Sequence, residues 1–85
     1  MSEILQEIFT STDLDIRLQV LLEIGKEILT INKPNKFIKI YQIDDFYVEL
    51  IYKNELKKIT YINLIDPQEF LEKYNNYNLL NKLMN

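Results

Sequence analysis

The chain of 85 residues, with a formal net charge of −3, is long enough for one hydrophobic core and too short for two, so residues 1–85 are expected to form a single compact domain. Hydrophobic residues make up 47% of it, supplied by thirteen Ile, thirteen Leu, six Tyr and four Phe with no Ala, and side chains this large need burial, which excludes a disordered chain. Cys and His are both absent, which removes disulfide frameworks, thiolate and imidazole catalysis and most transition-metal sites.

The first ten residues carry Glu3 and Glu7 and no Lys or Arg, unlike the basic start of a secretory signal. No apolar run approaches the roughly twenty residues of a membrane span. A cytoplasmic protein that does not cross a membrane is therefore expected. Ser2 can cap a short amphipathic segment in which Ile4, Leu5, Ile8 and Phe9 share one helical face. Thr12, followed three residues later by Asp15, resembles a capping box for a second helix with Leu14, Leu18, Leu21, Leu22, Ile28 and Leu29 on one side. The same stretch also alternates at Leu14, Ile16, Leu18, Val20, Leu22 and Ile24, so residues 14–31 have a competing reading as a hairpin turning at Gly25-Lys26. The wealth of Leu, Gln, Glu, Arg and Lys favours the helix.

Beyond Asn32-Lys33-Pro34-Asn35, β-branched and aromatic residues predict strands near Phe37–Ile43, Phe46–Lys53 and Lys57–Ile65, joined by two-residue turns at Asp44-Asp45 and Asn54-Glu55. Asp66-Pro67-Gln68-Glu69 opens a last helix, with Asp as N-cap and Pro where its missing donor costs nothing. Phe70, Leu71, Tyr74 and Tyr77 form its apolar stripe, and Leu79, Leu80 and Leu83 follow after an Asn-rich break. The fold class is α+β: an N-terminal helix or helix pair, a three-stranded antiparallel meander and a C-terminal helix. The runner-up is a five-stranded meander, if residues 14–31 form the hairpin.

No catalytic residue, metal ligand or cofactor-binding residue stands out. A single Gly precludes a phosphate-cradling loop. Asp13 and Asp15 suit a helix start and Asp44 and Asp45 a turn better than a metal site. The chain is accordingly expected not to be an enzyme and to take no small-molecule ligand. Lys36, Lys39, Lys53, Lys57 and Lys58 lie among Phe37, Tyr41, Tyr52 and Tyr61, a pattern that permits single-stranded nucleic-acid binding on the sheet. The negative overall balance makes nucleic acid the weaker partner.

Alternation places Phe37, Tyr41, Ile43, Phe46, Val48, Leu50, Tyr52, Ile59 and Tyr61 on one sheet face, and Ile38, Ile40, Tyr47, Ile51, Ile62 and Leu64 on the other. The second face is too apolar for solvent and needs cover, either a terminal helix of the same chain or another molecule. Those six residues are the candidate interface of a non-catalytic protein–protein interaction or self-assembling domain, whose partner is another protein or a second copy in a homodimer. An immunity or antitoxin-like neutraliser of a partner protein is the alternative within that class.

Overall fold

The computed structural model describes residues 2–74. They form helices α1 (Ser2–Ser11) and α2 (Leu14–Ile24), strands β1 (Lys26–Lys33), β2 (Lys36–Ile43), β3 (Phe46–Lys53) and β4 (Lys58–Ile65), and helix α3 (Pro67–Tyr74). The strands pair in sequence order as one antiparallel sheet. This is the α+β architecture that the sequence predicts, with four strands where three were expected.

The added strand comes from the segment whose periodicity was ambiguous. Residues 14–24 are helical, which removes the five-stranded alternative, but the helix does not run on to Ile28 and Leu29. Gly25 ends it: its N–H donates to Leu21 O at 2.9 Å, and its φ of −81° and ψ of 144° are already those of a strand. Thr30 and Ile31 then favour the extended chain, and Lys33 pairs with Lys36 across a two-residue turn at Pro34-Asn35. Ile28 and Leu29, which match the helical spacing of α2, instead pack on the opposite side of the sheet from it.

The capping expectations shift by one residue at α2. Asp13 is the N-cap, accepting from Ile16 N at 3.1 Å, whereas the Thr12 hydroxyl donates back to Ile8 O and closes α1. At α3 the expected cap is in place: Asp66 Oδ1 accepts from Gln68 N at 3.2 Å. Tyr77, Leu79, Leu80 and Leu83 lie outside the described residues.

Helices cover both sheet faces. Phe9 of α1 and Leu21 of α2 pack with Tyr41, Ile43, Phe46, Val48, Leu50 and Ile62, and Phe9 meets Phe46 edge-on at 6.2 Å. On the other face Phe70 and Tyr74 of α3 cover Leu29, Ile31, Ile38, Ile40 and Ile65, with Tyr47 lying 4.9 Å from Phe70. The β2–β3 register agrees with expectation, with Ile43 opposite Phe46, Tyr41 opposite Val48 and Lys39 opposite Leu50. The β3–β4 turn is longer than expected, spanning residues 54–57 with Lys57 at φ 55°, because Lys53 pairs with Lys58.

Candidate functional site

The six candidate interface residues divide between the two faces. Ile38, Ile40, Tyr47 and Ile51 lie together under α3, while Ile62 and Leu64 belong to the core beneath α1 and α2. One residue in β4 causes the division. Ile59 opposes Tyr52 but Tyr61 opposes Ile51, so Thr60 is an extra residue against β3 and every later side chain changes face. Tyr61 accordingly leaves the face that alternation gives it and stands 39% exposed beside Ile51. Ile38, Ile40 and Ile62 are buried, and Tyr47, Ile51 and Leu64 are half-buried.

Within the α3-covered face sits the one buried charged residue among those described. Glu49, 3% exposed, lies between Ile40 and Asn63 on the neighbouring strands. Its carboxylate accepts from Lys73 Nζ at 3.1 and 3.3 Å and from the Tyr74 hydroxyl, so α3 is held to the sheet by polar as well as apolar contact. A buried carboxylate is tolerable only with such donors. Alternation shows Glu49 on this face, but its partners come from a helix whose docking no local pattern reveals.

The two sheet edges differ. On β4, Arg17 of α2 donates from Nη1 to Ile62 O at 2.7 Å, and Asn63 Oδ1 accepts from Leu64 N at 2.8 Å, so side chains occupy backbone groups that an incoming strand would need. On β1, Glu27 accepts from Thr30 Oγ1 at 2.6 Å and from Lys39 Nζ at 3.0 Å. Those two hydrogen bonds, Thr30 first and then Lys39, hold the Glu27 carboxyl below its ordinary value of 4.5, and the Glu27 partner raises Lys39. Burial raises the neighbouring Tyr41 phenol above 10.0.

The two ends of the sheet differ in net charge, with Glu55 among the lysines of one and Lys26 near the aspartates of the other. At the end formed by the β1–β2 and β3–β4 turns, Lys33, Lys36, Lys53 and Lys58 oppose one another in register, one from each strand, with Lys57 in the adjoining turn. Asn54 N donates to Asn35 O at 3.0 Å and ties the two turns together. Among the described residues, none of these lysines is in an ion pair, and Leu56 projects from their midst 54% exposed. At the opposite end the Asp44-Asp45 turn meets Asp66, and an open hollow of about 380 Å³ is lined by Gln6, Asp45, Phe46, Tyr47, Leu64, Ile65, Asp66 and Pro67. The sequence pattern groups Lys36, Lys53, Lys57 and Lys58 but misses Lys33, which belongs to the added strand β1.

The helical layer also leaves large apolar side chains in solvent. Ile4 is 66% exposed, Leu22 69%, Ile24 49% and Ile16 44%. No helix of the described residues is long and apolar enough to cross a membrane. The chain matches no protein-family model, no curated protein and no solved structure.

Proposed function

We propose that this chain is a small non-catalytic protein-interaction domain of the cytoplasm that binds another protein or a second copy of itself. The observation that carries the reading is α2. Leu14, Leu18 and Leu21 pack against the sheet, yet Ile16, Leu22 and Ile24 keep apolar surface on other sides of the same helix. A helix apolar around most of its circumference is satisfied when something lies on its outer side as well. The sheet face under α3 is already covered by its own helix, so the contact is assigned to the helical layer.

The test is the solution mass of the 10.3 kDa chain across a concentration range, by light scattering after size exclusion, for the wild type and for Ile16→Glu and Leu22→Glu. Both sites are exposed, so the variants are expected to fold. A mass that rises with concentration in the wild type and less in the variants supports the reading. A wild type that stays monomeric throughout removes self-assembly and leaves only a foreign protein partner, the neutraliser reading included. The lysine row favours a second reading, binding of single-stranded nucleic acid. That reading requires affinity for an oligonucleotide that falls steeply with salt and with Lys57→Glu and Lys58→Glu.

A further inference from the structure

We infer that copies of this chain join end to end, the lysine end of one seated on the acidic end of the next, an inference that rests on the self-assembly reading above but places the contact at the ends of the sheet in place of the outer side of α2. Four lysines directly opposite one another across all four strands repel, since like charges on facing strands are destabilising. An anionic surface laid across the row removes that repulsion. The chain itself carries such a surface at the far end of its strands: Asp44 and Asp45 in the β2–β3 turn and Asp66 at the start of α3.

Shape follows charge. Leu56 stands exposed within the lysines, and the hollow between α1 and α3 has an apolar floor of Phe46, Tyr47 and Ile65 with Asp45 and Asp66 at its rim. Leu56, beside Glu55 and close to Lys36 and Lys53, thus faces a hollow that carries Asp45 and Asp66 at its rim. The two surfaces lie on opposite ends of one molecule, separated by strands of about 25 Å. A contact between unlike surfaces cannot close on itself as a two-fold dimer does, and it propagates into a chain or a ring.

This makes the growth law the first readout. End-to-end association gives a mass that keeps rising with concentration and falls back as salt screens the contact, whereas a two-fold dimer through α2 levels off at twice the monomer mass. Two double variants supply the second readout: Lys53→Glu/Lys58→Glu cancels the charge of the four-lysine row, and Gln6→Lys/Asp45→Lys cancels that of the Asp44, Asp45 and Asp66 end. Each alone is expected to associate at least about tenfold more weakly than the wild type. Mixed in equal amounts, the intact lysine end of the second variant can still seat on the intact acidic end of the first, so the mixture is expected to stop at a pair of unlike variants. Leu56→Asp, an exposed position, is expected to abolish growth without unfolding the chain.

Growth that survives all three changes, or a mixture that stays monomeric, overturns the end-to-end contact. If Ile16→Glu or Leu22→Glu alone dissolves the assembly, the self-assembly reading stands and this contact falls. A wild type monomeric at every concentration overturns both. A single-stranded oligonucleotide that binds the wild type at low salt, loses affinity in Lys53→Glu/Lys58→Glu and leaves the mass monomeric reassigns the lysine row to nucleic acid.

Discussion

Gly25 shows how one residue can decide an element boundary. A Cβ added there would stand 2.6 Å from Leu21 O and 3.2 Å from the Tyr41 ring, so the residue between α2 and β1 must be glycine on grounds of space. Gly25→Ala is expected to destabilise the fold by about 1–3 kcal/mol, read from chemical denaturation, because the clash is with backbone that cannot swing aside. Glu49 depends on its donors, because its carboxylate is buried. Tyr74→Phe removes a hydroxyl donor from a buried carboxylate and is expected to cost about 1–3 kcal/mol. Titration exposes two further residues. The lowered pKa of Glu27 contributes stability above 4.5 that is lost as pH falls through the lowered value; because the carboxylate is largely exposed, the effect is best read from its own NMR titration. Thr30→Val is expected to move that midpoint upward. Tyr41 behaves oppositely: its pKa is raised by burial, so its contribution is intact below 10.0 and is lost as pH rises through the folded value. Tyr41→Phe is expected to blunt that part of the alkaline loss of stability.

At the scale of elements, legibility followed locality. The β2–β3 hairpin was readable residue for residue because a two-residue turn ties register to alternation, and α3 was readable because Asp66-Pro67 marks its start chemically. What escaped were the places where one residue changes phase. Gly25 turns a helical stripe into a strand, and Thr60 adds a residue that hands Ile62 and Leu64 to the other core. Neither event has a strong local signature, since Thr is a good strand residue and Ile28-Leu29 happens to fit a helical spacing. The candidate surface is therefore divided between the two cores. The same scale explains the guarded edge of β4. Arg17→Ala removes the tie between α2 and the Ile62 carbonyl and is expected to let β4 open more often, which hydrogen exchange would register as loss of amide protection along β4 with β2 unaffected.

For the whole molecule, the separation of charge matters more than the net value of −3. The lysine row sets fold against association: Lys53→Glu, by placing a carboxylate between Lys36 and Lys58, is expected to raise stability by about 0.2–1 kcal/mol for each relieved pair. The same change weakens the end-to-end contact. Added salt should mimic the first effect by screening the row, so thermal stability and assembly are expected to move in opposite directions as ionic strength rises.

The unbroken order of the meander also governs how quickly the fold is reached. Every strand pairs with its neighbour in sequence, so each hairpin can form after closing only a short loop. Contacts such as Phe9 with Phe46 and Arg17 with Ile62 instead span much of the chain and await a sheet on which to dock. Rapid folding is expected, with the hairpins formed in the transition state and the N-terminal helices settling afterwards. Destabilising changes at Phe9 or Arg17 would then act mainly by speeding unfolding, leaving the rate of folding nearly untouched.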